Sequence, residues 1–384
     1  FLCIFSSNIM SRMVSNIFEY IAHNILLYGF LAQFLAVILS IYFVPTMRKL
    51  ALIKNLTDTP SARKSHSTQV PVLGGLAIYL AAAFSMFLMA CAFPSKTIIL
   101  DFFLLGFGSM TLLFIGVLDD IVGLKPMQKL IFQIIVSFIL IHNAPIYISS
   151  MDGLFGISGM SHVVSCLLSV FVYVVFMNML NLIDGIDGLA SGISMVGFAF
   201  FAYVSFMTGS YYNMLVSMAG IGCIIPFMYY NMFSGSKIFL GDNGSLVMGV
   251  ILGYLALDFL SINNAPEQLL FGGNKIIILM SVFSYPLVDT LRVFMVRISR
   301  KRSPFAADKN HIHHHLLRLG LSHRKATLLV LVYSCFITCI SLTLTDLTIN
   351  VAFVVLLLAS VFIICLPSFL IKNEDGTISF RKKA

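Results

Sequence analysis

Tryptophan is absent from this chain, and charge is scarce: Asp, Glu, Lys and Arg make up 10% of its 384 residues. A soluble domain carries about a quarter charged residues, so the shortage excludes a water-facing globule. Paired cysteines are lacking too. The seven cysteines, Cys3, Cys91, Cys166, Cys223, Cys335, Cys339 and Cys365, lie mostly inside apolar runs, with no CxxC pair and no metal-ligand spacing. They read as small packing residues. Internal repeats and low-complexity tracts are also missing. What fills the chain instead is apolar: 59% hydrophobic residues with 35 Phe, and a mean hydropathy of +0.97. The expected fold is an all-α polytopic membrane protein. The net charge of +8 then reports basic loops on one membrane side, with no nucleic acid as partner.

Apolar runs long enough to cross a ~30 Å hydrocarbon core recur along the chain. They predict eleven helices, at 24–44, 71–91, 98–118, 128–143, 161–180, 187–207, 213–230, 245–261, 276–296, 326–345 and 349–370. Residues 1–23 form an amino-terminal segment of no assigned role. Its apolar stretch is too short to span, it lacks the basic start of a signal peptide, and Met10 and Met13 are alternative starts. Residues 24–371 make one transmembrane catalytic domain on the chemistry below, and 372–384 a basic tail. Nineteen Lys and Arg residues, from Arg48 to Lys383, fall in loops on one side, against Arg12, Lys96 and Lys275 on the other. The positive-inside rule makes the first side cytoplasmic, with the amino terminus outside and the carboxyl terminus inside. Asp119, Asp120, Asp184, Asp187, Asp242 and Asp308 fall on or near that same face. Charge at bilayer depth costs at least ~2.5–3.5 kcal/mol, so acids gathered there point to a single site.

Asn178–Ala190, NMLNLIDGIDGLA, joins two spans and carries Asn178, Asn181, Asp184 and Asp187. If the next helix starts near 184, a spacing of three sets both carboxylates on one face. Gly185 and Gly188 permit close backbone approach, and a helix start there favours a phosphate. A capping Asx turn accounts for one acid, not for two acids and two amides. Asp119 and Asp120 end the third span in GVLDDIVGLKP. Adjacent carboxylates repel unless a cation neutralises them, and magnesium takes carboxylate oxygens together with substrate phosphates. A solvated helix end is the plainer alternative. Asp242, in FLGDNGSLVMG, is by itself an ordinary turn and N-cap signal. Beside the other acids it becomes a third metal or phosphate contact. Phe239, at that loop edge, either stacks on a base or anchors the loop.

In HIHHHLLRLG, a helix places His311, His314 and His315 on one face and turns His313 elsewhere. Neither Cys nor an HExxH pattern accompanies them. The expected use is donation to phosphate oxygens, with Arg302, Lys309 and Arg318 adding positive charge; a solvated basic loop is the plainer alternative. In the first basic loop, Arg63, Lys64 and His66 are candidates to hold an anion, and Gly74 and Gly75 let helices pack closely. Carboxylates for a divalent cation and basic groups for phosphates, at a membrane face, suit phosphoryl transfer with a lipid as one substrate.

Four motifs carry a resemblance: LDD at 118–120, NxxNLxDGxDGLA at 178–190, FxGDxGSLxxG at 239–249 and HIHHxL at 311–316. In this order they resemble the polyprenyl-phosphate N-acetylhexosaminyl-1-phosphate transferases, the family of the WecA-type enzymes and MraY. The resemblance covers nearly the whole chain from about residue 24. It implies transfer of a sugar 1-phosphate, GlcNAc 1-phosphate foremost, from a UDP-sugar donor to undecaprenyl phosphate. UMP leaves, Mg²⁺ is the cofactor with Mn²⁺ as substitute, and the product initiates a cell-surface polysaccharide. The setting implied is the lipid bilayer of a bacterial inner membrane; a homodimer is left open.

Carried over by motif, Asp119 and Asp120 look like the acidic pair near the lipid phosphate, and Asp242, with Asp119, like the metal ligands. Asp184 and Asp187 join the pair as catalytic residues, with Asn178 and Asn181 as substrate contacts. Phe239 resembles the residue beside the uracil. His311, His313, His314, His315 and Arg302 look like the diphosphate side, and His66 like a further substrate contact. A lipid phosphate is already largely ionised at neutral pH, so a strong base is not required. HSTQVPVLGG at 66–75 and RSPFAADKNHIHHHL look WecA-like, and the GTPTMGG run expected of MraY is absent. IVGL after Asp120 departs from the family, where a polar residue is common. Two rivals remain: an MraY-like transferase using UDP-MurNAc-pentapeptide, and a cation transporter. The transporter requires acids near mid-span, whereas most acids here gather at one face; Asp258 and Asp289 lie inside apolar runs.

Overall fold

Backbone amides find no water inside a bilayer, so each apolar run must close its own hydrogen bonds as a helix. The structure, a computed structural model, describes residues 24–58, 70–92, 96–144, 146–262, 274–301, 303, 310–372 and 378–380. Segment 1–23, most of the tail 372–384, and Arg63, Lys64, His66, Arg302, Asp308 and Lys309 lie outside the described residues. The helices are α1 (Ile25–Ile53), α2 (Gly74–Ala92), α3 (Lys96–Val122), α4 (Pro126–Asn143), α5 (His162–Ile183), α6 (Leu189–Thr208) and α7 (Tyr211–Met228). A π-helical turn, Tyr229–Phe233, extends α7, and α8 (Gly241–Ser261) follows. Then come α9 (Lys275–Val282), α10 (Ser284–Ser299), the short α11 (Ile312–Arg318), α12 (His323–Leu342) and α13 (Ile349–Cys365). Two antiparallel pairs complete the chain: β1 (Thr57–Asp58) with β2 (Val70–Pro71), and β3 (Leu370–Lys372) with β4 (Ile378–Phe380).

Among the described residues, ten helices are long and apolar enough to cross a membrane, or eleven if α9 and α10 form one span. The fold is all-α and polytopic. The run expected at 276–296 is the one that departs, because α9 and α10 meet at a 76° bend. Pro286 sits in the first turn of α10, where its missing N–H breaks no bond.

Helix α8 is the axis of the bundle: it is almost wholly buried, whereas the last span, Ile349–Phe369, is mostly exposed. It packs on α2, α3, α5 and α6, while Phe103, Phe171 and Phe362 stay exposed on the outside, where lipid would lie. Lipid tails are as apolar as Leu, so packing and interhelical hydrogen bonds, rather than burial itself, hold such a bundle. Ser85 Oγ donates to Ala32 O at 2.7 Å, Ser40 Oγ to Cys223 O at 2.8 Å and Tyr173 OH to Val250 O at 2.8 Å. Each is worth about 0.6 kcal/mol.

Helix ends position the polar motifs. α3 stops at Val122 because Gly123 takes φ +75°, with its N–H on Asp119 O at 2.9 Å. α4 restarts with Pro126 at its first position, and Lys125 N–H meets Gln128 Oε1 at 3.0 Å. This turn brings Asp119, Asp120 and Lys129 to one end of the bundle. α5 stops at Ile183 and α6 restarts only at Leu189, after Gly188 at φ +78°. Asp184 and Asp187 therefore lie in the turn between helices, not on the one helical face that their spacing predicts. The segment after β2 pairs with the approach to α8. Phe239 N–H donates to Pro71 O at 2.8 Å, and Gly74 and Gly75 N–H donate to Phe239 O and Leu240 O at 3.0 and 2.9 Å. A Cβ on Gly75 would overlap the Gly244 backbone, so this glycine is what lets α2 close on the start of α8.

Candidate active site

Carboxylates brought together repel, so the cluster stands only if something separates them. Lys129, in the first turn of α4, does so: its Nζ lies 2.6 Å from Asp119 Oδ2 and 2.9 Å from Asp242 Oδ2. Asp119 also accepts the Leu124 N–H at 2.6 Å, which locks the α3–α4 turn. Asp242 Oδ1 accepts Asn181 Nδ2 at 2.8 Å, and the same amide reaches Ser245 Oγ at 2.9 Å. By side-chain exposure Asp242 is the more open acid, 31% against 10% for Asp119. Asp120 turns both oxygens to α8. Oδ1 accepts Asp242 N–H at 3.0 Å, and Oδ2 accepts Asn243 N–H at 3.2 Å and Asn243 Nδ2 at 2.6 Å. It caps the start of α8 from another helix, supplying the acceptor that a local N-cap would. Asn178 Nδ2 donates to Gln133 Oε1 at 2.8 Å, tying α5 to α4.

The two acids of the Asp184–Asp187 turn stand in opposite electrostatic states. Lys237 Nζ lies 2.5 Å and His323 Nδ1 3.2 Å from Asp187 Oδ2. Burial pushes this carboxyl up, but the hydrogen bonds and charges of His323 and Lys237 outweigh it, and its pKa falls below the usual value. Thr327 Oγ1 donates to Asp187 O at 2.8 Å, so α12 holds the turn as well. At Asp184, loss of solvent and then the charges of Asp242, Asp120 and Asp187 raise the pKa well above the usual carboxylate range. Paired groups pushed apart in this way can divide acid and base roles.

The histidine motif departs from its expected geometry. α11 begins at Ile312 with His311 as N-cap, so His311, His314 and His315 do not share a helical face. His311 and His313 stack instead, centroids 5.4 Å apart at 15°, and both are buried. His311 Nδ1 meets Asp289 Oδ2 at 2.9 Å, while Asp289 Oδ1 accepts Ile312 N–H at 3.1 Å and Arg292 Nη2 at 3.0 Å. Tyr285 OH meets His313 Nδ1 at 3.3 Å. His313 Nε2 is buried with no hydrogen-bond partner among the described residues. It lies against Gly185, where a Cβ would crowd it, and this contact joins the histidines to the Asp184–Asp187 turn. Burial, then the charge of His314, drives the His313 pKa well below its usual value; burial, then Arg318, lowers His315 to about 4. Both rings are neutral at pH 7, so they meet an anion as dipoles rather than as cations. The ligand atoms of Asp289, His311 and His313 lie within 4.8 Å of one another, a buried set that could coordinate a divalent metal.

The fold thus gathers Asp119, Asp120, Asn181, Asp184 and Asp242 around one end of α8, with Asn178 one turn back on α5. Phe239 is half-buried at the edge of the cluster, just before α8. His66 and Arg302 lie outside the described residues. Sequence reasoning missed Lys129, Lys237, Tyr285, Asp289, Arg292 and His323. For Lys129, Asp289 and Arg292 the signal was present, since a charge inside an apolar run is itself informative. Lys237 and His323 sit in or beside polar loops and carry no such mark.

Residues 102–260 match the profile of Glycosyl transferase family 4. The chain is 30% identical over 306 residues to the undecaprenyl-phosphate alpha-N-acetylglucosaminyl 1-phosphate transferase of Haemophilus influenzae, covering 78% of this chain and 81% of that one. It is 27% identical over 334 residues to the probable undecaprenyl-phosphate N-acetylglucosaminyl 1-phosphate transferase of Bacillus subtilis, covering 86% and 88%. A third relative is the decaprenyl-phosphate N-acetylglucosaminephosphotransferase of Mycolicibacterium smegmatis, 28% identical over 325 residues, with 77% of each chain covered.

Proposed function

This chain belongs to glycosyl transferase family 4, and on that premise we propose that it transfers N-acetylglucosamine 1-phosphate from UDP-GlcNAc to undecaprenyl phosphate. It is a multi-pass protein of the bacterial inner membrane, and its product initiates a cell-surface polysaccharide. An oxygen of the lipid phosphate bonds to the sugar-bearing phosphorus. The bond from that phosphorus to the bridging oxygen breaks, and UMP leaves with the electron pair. The observation that carries the reading is Lys129 Nζ, held 2.6 and 2.9 Å from acids of two distant motifs, Asp119 and Asp242. Phosphoryl transfer is mostly positioning and charge neutralisation, and this cluster supplies both.

The residues also fit a divalent ion. Their donors are carboxylate oxygens, which suit Mg²⁺, and the space between Asp119 and Asp242 already accommodates a cationic group. Asp242 with Asp119 would hold Mg²⁺, or Mn²⁺ in its place. When bound, the ion shields the charge of the diphosphate. Around it, Lys129 neutralises the acids and is placed to meet the incoming lipid phosphate. Asp184 and Asp187 order the nucleotide sugar with Asn181, Phe239 lies beside the uracil, and Asn178 braces α5. His311, His313, His314 and His315 take the diphosphate side, with Arg302 and His66 as further contacts. Asp120 serves by fixing the start of α8.

The basic loops support a cytoplasmic site, an external amino terminus and a cytoplasmic carboxyl terminus. Residues 24–371 act as one catalytic domain and 372–384 as a basic tail; a homodimer is compatible with this reading. The test uses purified protein, undecaprenyl phosphate and Mg²⁺, with UDP-GlcNAc, other UDP-N-acetylhexosamines or UDP-MurNAc-pentapeptide as donor. UMP release with UDP-GlcNAc is expected. Release with the pentapeptide donor alone would move the chain to the MraY branch.

A further inference from the structure

The cluster around Asp289 contains a charged residue that the transfer reaction, as described, leaves without a role. Asp289 is 0% exposed in α10, and a buried carboxylate without partners would be strongly destabilising. Here every oxygen is met, and the partners share a direction. Oδ1 accepts the Ile312 N–H, Oδ2 faces His311 Nδ1, and Arg292, which also bonds Oδ1, donates onward to the carbonyl of Asn310. One carboxylate–guanidinium pair on α10 therefore grips Asn310, His311 and Ile312, the residues that lead into α11. An ionised carboxylate can only accept, so His311 carries its hydrogen on Nδ1. Chemistry at this ring falls to Nε2.

We propose that Asp289 is a positioning residue that fixes the tautomer and the aim of His311, so that Nε2 acts on the diphosphate of the nucleotide sugar. The proposal rests on the transferase reading above and deepens it. Distance alone would admit a divalent ion among Asp289, His311 and His313. The bonding argues otherwise, because Arg292 already neutralises the carboxylate and both of its oxygens have donors. The arrangement also reaches beyond His311. That ring stacks on His313, and His313 lies against Gly185 in the acidic turn. Releasing Asp289 would thus loosen the histidine side of the site while leaving the Lys129 cluster in place.

The experiment is a double-mutant cycle on UMP release from UDP-GlcNAc, using wild type, Asp289→Asn, His311→Ala and the double variant. Asp289→Asn keeps the shape but lets the side-chain amide donate to the ring, which favours the wrong tautomer. Loss of an outer partner of this kind lowers activity about 10–100-fold. If Asp289 acts through His311, the double variant is no slower than His311→Ala. Losses that multiply would overturn the proposal. Nitrogen-15 NMR of the wild-type protein gives a second measurement that needs no variant. A hydrogen on His311 Nδ1 is expected, and a hydrogen on Nε2 alone would overturn the assignment even if Asp289→Asn fails to fold. Metal analysis of the purified protein decides the rival, since a stoichiometric transition metal lost in Asp289→Asn would replace positioning by ligation. A wild type inactive with every UDP-sugar would remove the transferase reading itself. An active wild type with multiplying losses removes only this inference.

Discussion

Two charged clusters meet at the Asp184–Asp187 turn, and they are built on opposite principles. Around Lys129, one ammonium serves two carboxylates, and the side chains remain 10–31% exposed. Around Asp289, the carboxylate and His311 are 0% and 5% exposed, and each Asp289 oxygen has its own donor. In the first cluster a cation can be exchanged for another without stranding a group away from solvent. In the second, any change leaves a buried donor or acceptor unmet, at about 1–3 kcal/mol each. The open cluster is where charge can change during a reaction; the closed one is a frame that holds its rings still.

That contrast can be broken at several points. The largest effect is expected for Asp242→Asn, which removes the open carboxylate: UMP release should fall roughly 10³-fold, with the protein still monodisperse in detergent. Near-normal turnover would remove Asp242 as a ligand. Lys129→Met should lower turnover about 10²-fold and at the same time reduce the Mg²⁺ concentration needed for half-activity, because a competing cation is gone. A magnesium titration measures both, and an unchanged Mg²⁺ requirement would show that Lys129 does not share the ion's place. On the closed side, Gly185→Ala forces a Cβ onto His313 and should destabilise the fold by about 1–3 kcal/mol. Gly159→Ala, where nothing lies within 4 Å, is the control, and equal melting temperatures for the two would refute the contact between clusters.

The smallest effect concerns pH. Asp187 has a folded pKa below its unfolded value of about 3.9. Its ion pair with Lys237 and its contact with His323 therefore add stability that is full above that value and is lost as pH falls through the lower folded pKa. Wild type should melt higher than Asp187→Asn at pH 6, and the gap should close below pH ~4. A gap that persists at low pH would mean that the carboxylate charge contributes nothing there.

The acidic motifs were legible because polar residues in so apolar a chain stand out against every neighbour. Their partners were not. Lys129 was absorbed into the span expected at 128–143; Asp289 stood out inside the run at 276–296, but nothing along the chain pairs it with His311, 22 residues on. The histidine face was misassigned for a local reason. α11 starts at Ile312, which leaves His311 outside the helix, and the i, i+3, i+4 argument holds only within one. The same reason separates Asp184 from Asp187: Gly188 holds the start of α6 back to Leu189, and the two acids then face different partners.

By itself the sequence determined the class of protein, the approximate number of apolar runs and the acidic motifs at their ends. The bilayer imposes these: it admits only helices of a certain length, and it makes charge rare enough to be read. Tertiary structure decided which acids remain available. Asp120 is occupied in capping α8, Asp187 is paired with Lys237 and His323, and Asp289 is bound to His311, while Asp242 stays partly open. Spacing along the chain cannot settle this. Each of these bonds depends on a donor brought from a distant helix, and only the packing of those helices decides which donor arrives.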